Sequence, residues 1–158
     1  MTPDKERPNV VPWPPIVLGT ALVAGFALGW FFPGPWPEGL GPAFLQALGG
    51  LLVATALVLF FTARQAFLKA STTLLPHRAA SHLVTNGPFA ISRNPIYLAN
   101  VILLFGLGFL FGNIWFFPLA LVAGFTEHKL AIEREEAHLE HKFGKAWRDY
   151  KRRVRPWI

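Results

Sequence analysis

The sequence contains no cysteine, and only 15% of its 158 residues are charged. The absence of cysteine excludes a disulfide scaffold and a thiolate metal site. A soluble domain averages about a quarter charged residues, whereas hydrophobic residues make up 53% of this chain. Disordered segments have few apolar and many charged side chains. Because this chain has the opposite composition, disorder is excluded too. The length fits one domain.

Four long apolar stretches cover about residues 16–32, 43–61, 96–111 and 114–130. A bilayer core of about 30 Å requires about 20 helical residues. The first two stretches reach this length with their flanks, and the last two, joined at Gly112-Asn113, would span a thinned bilayer as a tight hairpin. The pattern predicts an all-α integral membrane bundle of about four transmembrane helices. A buried soluble α-hairpin is the alternative, but few polar residues are present to cover it.

The 15 Lys and Arg residues lie in the N-terminal tail, in the loop 62–95, or at the end of the fourth stretch and beyond it. By the positive-inside rule, both termini and that loop are cytosolic. We therefore expect a multi-pass protein of the plasma (inner) membrane. The net charge of +6 could suggest nucleic-acid binding, but the charges are segregated from the apolar runs, so we expect no nucleic-acid partner.

The segment 131–158 is polar and forms a predicted cytosolic tail. Its apolar residues recur every three or four positions, which predicts an amphipathic helix that Gly144 breaks or bends. Three carboxylates, Glu133, Glu135 and Glu136, stand at its start. A solvated charge run is the alternative. Glu135 and Glu136 have no Lys or Arg at helical spacing, so helix support alone explains them poorly.

The third stretch has a helix-start signal in Asn94-Pro95, with Asn94 as the N-cap and Pro95 at the first helical position. A positive helix end beside Arg93 could bind an anion. Ordinary capping, with Arg93 as a positive-inside anchor, is the alternative, and the local features alone favour it because caps and flanking cations are common. A second local pattern, Glu135-x-x-His138, has metal-ligand spacing, but a di-iron bundle needs a second such motif, so we expect no metal.

Three segments together resemble the superfamily of isoprenylcysteine carboxyl methyltransferases and phospholipid methyltransferases, which are integral membrane enzymes. The resemblance covers about residues 72–158 and rests on the order and spacing of the segments. They read Leu83-Val84-Thr85-x-Gly87-Pro88-Phe89, Ser92-Arg93-Asn94-Pro95-x-Tyr97 and Glu135-Glu136-x-x-Leu139-x-x-x-Phe143-Gly144-x-x-Trp147-x-x-Tyr150.

The resemblance implies that S-adenosylmethionine binds at the cytosolic ends of the last helices, with a lipophilic substrate entering from the bilayer. The cofactor-binding residues carried over by position are Leu83, Val84, Phe89, Asn94, Pro95, Tyr97 and Glu135. The chain departs from the commoner pattern at Asn94, where His is usual, at Phe89, where Tyr is usual, and at Ala131, where an Arg for the substrate is usual.

The chemistry of the cofactor fits these residue types. Aromatic faces at Phe89 and Tyr97 attract a sulfonium, and Glu135 accepts hydrogen bonds from hydroxyls or an ammonium. For the chemical step we expect Arg93, Tyr97 and Glu136 to act: Arg93 would orient a carboxylate, and Glu136 would serve as the base if the acceptor is an amine.

These observations predict a single domain, residues 1–158, that transfers a methyl group from S-adenosylmethionine to a small lipophilic acceptor at the membrane–cytosol interface. The acceptor atom stays open between a carboxylate, a thiol and an amine, so a phospholipid amine N-methyltransferase is an alternative. A non-catalytic membrane protein, such as a transporter subunit, is the alternative from another class. It predicts ionisable groups within the spans, but the central parts of the four stretches contain none. The expected partners are membrane lipids and a lipid or other lipophilic substrate, and the oligomeric state stays open.

Overall fold

The computed structural model describes residues 11–36, 39, 41–70 and 83–158, and within these ranges the chain is helical with no strand. The predicted all-α class is thus confirmed for the described chain. The N-terminal tail through residue 10 and residues 71–82 of the predicted loop, including Arg78, lie outside the described residues. The α-helices are α1 (Trp13–Phe31), α2 (Pro42–Lys69), α3 (Pro95–Phe111), α4 (Phe116–Glu127), α5 (Glu133–Phe143) and α6 (Lys145–Arg153).

Helices α1 and α2 have the length and hydropathy needed to cross a membrane. Only 11% of the apolar window of α1 and 17% of that of α2 are buried, and large side chains such as Val23 and Leu51 are exposed. A core helix of a soluble protein would bury most of this surface. Helix α3 is apolar but shorter, with 17 residues, and α4 has 12.

Helices α2 and α3 approach at two glycines. A Cβ atom placed on Gly49 would lie 2.8 Å from the carbonyl oxygen of Gly106, and one on Gly106 would lie 2.9 Å from the backbone nitrogen of Val53. Small residues at such a crossing let helix backbones pack closely in a membrane. The packing of α2 on α3 therefore depends on backbone contact at this point.

The predicted turn at Gly112-Asn113 joins α3 to α4. Gly112 ends α3 in the left-handed region, with φ of 61°, which glycine adopts without steric penalty. The Asn113 side chain accepts a hydrogen bond from the Trp115 backbone and donates one to the Gly25 carbonyl in α1 (2.8 Å). Asn113 thus fastens the hairpin to α1, which also packs Gly25 on the ring of Phe116.

The helical run from α4 continues through a π-helical segment, His128–Ile132, directly into α5. It breaks at Gly144, which has φ of 51°. The bend that the sequence predicts at Gly144 is therefore present, and the tail consists of two helices instead of one. Helix α6 buries Trp147 and Tyr150, and these pack with Val154, Leu83 and other side chains of the tail.

One end of the helix bundle gathers segments that are far apart in sequence. Trp13, at the start of α1, and Trp157, near the C-terminus, both pack against a buried group formed by Tyr97, Ala131 and Ile132. The starts of α1 and α3, the end of α4 and the C-terminal residues therefore meet at the same end. The candidate site lies here.

Candidate functional site

The start of α3 is tied to the last residues of the chain. Pro95 is the first helical residue, as predicted, but the Asn94 side chain makes no capping hydrogen bond. It instead donates to the carbonyl of Pro156 (2.9 Å). Ser92 donates its hydroxyl to the same carbonyl (3.2 Å) and accepts a hydrogen bond from the Asn94 backbone (3.1 Å). The predicted capping role of the Asn94 side chain is therefore wrong, because a tertiary contact takes its donor.

The Arg93 side chain is 6% exposed and lies between α5 and the end of α6. Its guanidinium donates to one oxygen of Glu136 from Nε (3.1 Å) and Nη2 (2.6 Å). Its Nη1 donates to the backbone carbonyls of Lys151 (3.1 Å) and Val154 (2.7 Å). Because four of the five N–H groups of the guanidinium have protein acceptors, Arg93 links α3 to the C-terminal segment.

Glu136 is surrounded by cations. Its second oxygen lies 3.4 Å from Nζ of Lys151, while the first accepts the hydrogen bonds from Arg93. The Arg93 guanidinium also lies over the Trp147 ring, with Cζ 5.7 Å from its centroid. The structure thus brings together two residues expected to act in the chemical step, Arg93 and Glu136, but it places them in contact with each other.

Tyr97 and Glu135 form a second pair next to the first. The buried Tyr97 hydroxyl donates to Oε1 of Glu135 (2.7 Å). Tyr97 packs against Ala131 and Ile132 of the π-helical segment, with Trp13 at the edge. The pair combines an aromatic face with a carboxylate where an apolar helix meets the polar α5, which are the features that the sequence assigned to cofactor binding.

A buried carboxylate that sequence analysis missed lies near this pair. Glu127, the last residue of α4, has no solvent exposure. Its Oε1 accepts a hydrogen bond from Nδ2 of Asn100 in α3 (2.8 Å), while its Oε2 is buried with no hydrogen-bond partner. A signal was present in the sequence, because Glu127 falls inside the predicted fourth span and Asn100 inside the third. Polar side chains within spans mark candidate sites.

The remaining expected cofactor residues lie on the other side of the α3 start. Val84 and Phe89 pack together against Ala63 and against the Phe67 ring, whose centroid is 4.8 Å from that of Phe89. Leu83 packs with the buried side chains of α6. The two groups are linked because the Tyr150 hydroxyl donates to the Phe89 carbonyl (2.7 Å).

Tyr150 is held in its neutral form as this donor. Burial raises the pKa of Tyr150 to about 12, although the nearby Arg93 guanidinium opposes the shift. The hydroxyl therefore stays protonated across the physiological range, and the link from α6 to the 3-10 turn Gly87–Ala90 persists there.

An open cleft of about 450 Å³ lies between the end of α2 and residues 86–88, at the start of the 3-10 turn Gly87–Ala90. Amide, hydroxyl and ammonium groups line it together with small apolar residues, which suits a ligand with both a ring and polar substituents. The described part of the chain has no group of three or more His, Cys, Asp or Glu side chains that could hold a metal ion. The residues lining the cleft are Thr62, Gln65, Ala66, Lys69, Ala70, Asn86, Gly87 and Pro88.

Comparison with known proteins places this geometry in context. A family model described as phospholipid methyltransferase matches residues 44–146, which is more than half of the chain. The match contains all but the first two residues of α2, and all of α3, α4 and α5. Arg93, Tyr97, Glu127 and both glutamates of the 135–136 pair lie within it. No curated protein and no solved structure matches the chain.

Proposed function

The chain belongs to the phospholipid methyltransferase family, and we propose that it transfers a methyl group from S-adenosylmethionine to a small lipophilic acceptor at the membrane–cytosol interface. Residues 1–158 act as one integral membrane domain in this proposal. The observation that carries it is the hydrogen bond between Tyr97 and Glu135. It places an aromatic face and a carboxylate at the polar end of an apolar helix bundle.

The residues at this end have the chemistry that S-adenosylmethionine requires. Glu135 accepts hydrogen bonds from ribose hydroxyls or the ammonium, and the Tyr97 ring attracts the sulfonium. The positive end of α3 at Asn94-Pro95, which is buried, favours the carboxylate of the cofactor. When bound, the cofactor supplies an electrophilic methyl group. In-line alignment and exclusion of water then account for most of the acceleration.

The cleft beside the end of α2 gives the nucleoside half of the cofactor a place. Asn86 and Gly87 line it, and the apolar wall of Val84 and Phe89 packs beside that turn against the same end of α2. Leu83 holds the turn against α6. In this arrangement Leu83, Val84 and Phe89 shape the cofactor site by fixing the backbone that lines it.

Arg93 and Glu136 are positioning residues in this proposal. Their contacts with each other, and those of Arg93 with the carbonyls of Lys151 and Val154, occupy most of the hydrogen-bonding groups that would otherwise meet a ligand. They fix α5 and the C-terminal segment against the start of α3, and this places Glu135 beside Tyr97. Both residues therefore influence methyl transfer through the geometry of the Tyr97–Glu135 pair.

The membrane arrangement that fits the site has four spans, formed by α1, α2, α3 and α4, in a multi-pass protein of the plasma membrane. The contacts of Trp13 and Trp157 with the Tyr97 group support a common side for both termini. All 15 Lys and Arg residues of the sequence belong to that side in this arrangement, which makes it cytosolic by the positive-inside rule. Because α3 and α4 are short, the bilayer thins around their hairpin.

A calorimetric titration of the detergent-purified protein with S-adenosylmethionine and with its demethylated product tests the proposal. We expect both to bind, because they share the ribose and the amino-acid groups that Glu135 and the helix start contact. A non-catalytic membrane protein or transporter subunit would bind neither. A folded protein that shows no binding of either compound contradicts the proposal.

A phospholipid amine is the second candidate acceptor, and the family name favours it. A lipid carboxylate would require a free cation near the methyl donor. Arg93 is the buried cation at this end of the bundle, and its guanidinium is directed at Glu136 and at backbone carbonyls. Within the described residues, these contacts favour an amine over a carboxylate.

A further inference from the structure

Glu127 differs in its surroundings from three other glutamates of the polar end. Glu133 is paired with Lys129, Glu136 with Arg93, and Glu140 with Arg148. Glu127 forms no ion pair with any described residue, although it has no solvent exposure. A buried carboxylate without a cation is strongly unfavourable, so such a group is either protonated or meets a cation that the protein binds.

The hydrogen bonds of Glu127 leave one oxygen available. Asn100 donates to Oε1 (2.8 Å) and fixes the orientation of the carboxyl group. Oε2 is buried without a partner. A buried polar atom with no partner is uncommon in folded proteins and calls for a specific explanation. A ligand group that donates a hydrogen bond to Oε2 would explain both the fixed orientation of the carboxyl group and its unpartnered oxygen.

The π-helical segment aligns Glu127 with the proposed cofactor site. In a regular α-helix, residues eight apart point about 80° away from each other. The π turn His128–Ile132 accommodates one more residue than an α-helical turn. Glu127 and Glu135, which are eight residues apart, therefore lie as residues seven apart do in a regular α-helix, close to the same helix face. Both carboxylates interact electrostatically with Tyr97. Single π turns occur frequently at functional sites.

The depth of the pair also suits a lipid headgroup. Asn100 is five residues after Pro95, so it lies about 7.5 Å along α3 from the helix start at 1.5 Å per residue. A lipid whose chains remain in the bilayer can place its headgroup at this depth. The groups that face Glu127 are Tyr97 and Asn100 from α3 and Glu135 from α5, and His128 adjoins it in sequence. None of Tyr97, Asn100 and Glu135 carries a positive charge.

We propose that Glu127 and Asn100 bind the ammonium group of a lipid amine acceptor and that Glu127 takes up its proton before methyl transfer. This inference rests on the methyl-transfer function proposed above. Asn100 is the positioning residue, because it holds Oε1 and leaves Oε2 directed at the acceptor. Glu136, the base expected from the sequence, is less suited because Arg93 and Lys151 occupy its oxygens.

The proposed reaction breaks two bonds and forms two. An N–H bond of the lipid ammonium breaks, and the proton moves to Oε2 of Glu127. The freed nitrogen lone pair forms a bond to the methyl carbon of the sulfonium donor, while the carbon–sulfur bond breaks and its electron pair stays on sulfur. Glu127 then releases the proton to water, so each methyl transfer yields one proton, one methylated ammonium and one thioether.

Vesicles of phosphatidylethanolamine with radiolabelled S-adenosylmethionine test the inference. Glu127→Gln keeps the shape of the side chain and a carbonyl for Asn100 but removes the proton acceptor. We expect kcat to fall about 100-fold, the usual size of a general-base contribution, with cofactor affinity unchanged within about twofold. The residual rate should rise with pH more steeply than the parent rate, because the variant depends on amine deprotonated in solution. The exposed Glu133→Gln variant is the matched control and should keep the parental rate.

A binding measurement without the cofactor separates recognition from turnover. Calorimetry with dodecylamine should show at least tenfold weaker binding to Glu127→Gln than to the parent, the size of a lost charge-assisted hydrogen bond. Dodecanol should bind both proteins equally. Equal dodecylamine affinity, or an undiminished kcat in Glu127→Gln, would overturn the inference.

The acceptor class separates this inference from the proposed function. If the parent protein methylates an S-prenylated cysteine carboxylate and leaves phosphatidylethanolamine unmodified, methyl transfer stands and the role of Glu127 is refuted. If it methylates no lipid of either class, the proposed function fails and this inference fails with it.

Discussion

Nη2 of Arg93 lies 2.6 Å from Oε1 of Glu136, a residue 43 positions later in the chain. This contact joins the polar start of a short apolar helix to the helix that carries Glu135. The same guanidinium also donates to two carbonyls near the C-terminus. The relative placement of Tyr97 and Glu135 therefore depends on a partly buried ion pair between two other residues, Arg93 and Glu136.

Replacing Arg93 with Lys should loosen the C-terminal segment. Lysine keeps the charge but has no planar fork, so it cannot donate to Glu136 and to the two carbonyls together. We expect a loss of about 1–3 kcal/mol of stability, faster hydrogen exchange in residues 144–158 and at least tenfold slower methyl transfer.

The matched control is Arg152→Lys, at a solvent-exposed pair with Asp149. It should change stability by less than about 1 kcal/mol, as exposed ion pairs do. If Arg93→Lys leaves hydrogen exchange unchanged but lowers cofactor affinity, Arg93 binds the ligand directly and its positioning role is wrong.

Replacing Glu135 with Gln should weaken cofactor binding. The substitution removes the negative charge of the carboxylate. This carboxylate accepts the hydrogen bond from the Tyr97 hydroxyl and, in our proposal, hydrogen bonds from the cofactor. Calorimetry should show a loss of about 1.5–3 kcal/mol, the usual contribution of a charge-assisted hydrogen bond. Glu140→Gln, on the same helix and half exposed, should bind normally. Equal affinity of the folded Glu135→Gln variant would exclude Glu135 from the site.

Alanine at Gly49 should destabilise the packing of α2 on α3. Its Cβ would lie 2.8 Å from the carbonyl oxygen of Gly106, so the backbones must separate. Overpacking of this kind costs about 1–3 kcal/mol. Gly50→Ala, whose Cβ meets nothing within 4 Å, should be neutral or stabilising because alanine favours the helix. Denaturation midpoints in detergent compare the two, and equal midpoints would contradict the close approach.

The proposed topology predicts which positions react with a membrane-impermeant thiol reagent. Since the chain has no native cysteine, the reagent can label only the single cysteine that is introduced. Gly39, in the loop between α1 and α2, should be labelled from outside the cell. Lys145, at the start of α6, should be labelled only after the membrane is opened. Labelling of position 145 in intact cells would contradict the cytosolic placement of the site.

Local signals in the sequence predicted several features of the fold correctly. Pro95 begins α3, Gly112 ends it, and Gly144 breaks the tail. Each of these positions depends on the conformational limits of one residue, which tertiary contacts seldom override. The apolar runs likewise predicted the helical class, because runs of about 16 or more apolar residues are too long for strands and have the length of helices.

Contacts between distant segments were not predictable in the same way. Asn94 has the sequence position of a capping residue, yet its side chain donates to Pro156. Glu127 pairs with Asn100 across 27 positions, and that contact depends on how α4 lies against α3. The π turn at His128–Ile132 changes which carboxylates share a face, and the sequence has no proline or glycine there to indicate it.

Methyl transfer from radiolabelled S-adenosylmethionine into lipids is the most direct test of the central claim. The purified protein is reconstituted into vesicles of total membrane lipid, and label is counted in the organic extract and assigned by mass spectrometry. We expect the parent protein to label a lipid and the Glu135→Gln variant to label it at least tenfold more slowly at subsaturating cofactor. A folded parent protein that binds S-adenosylmethionine but labels no lipid would contradict the account.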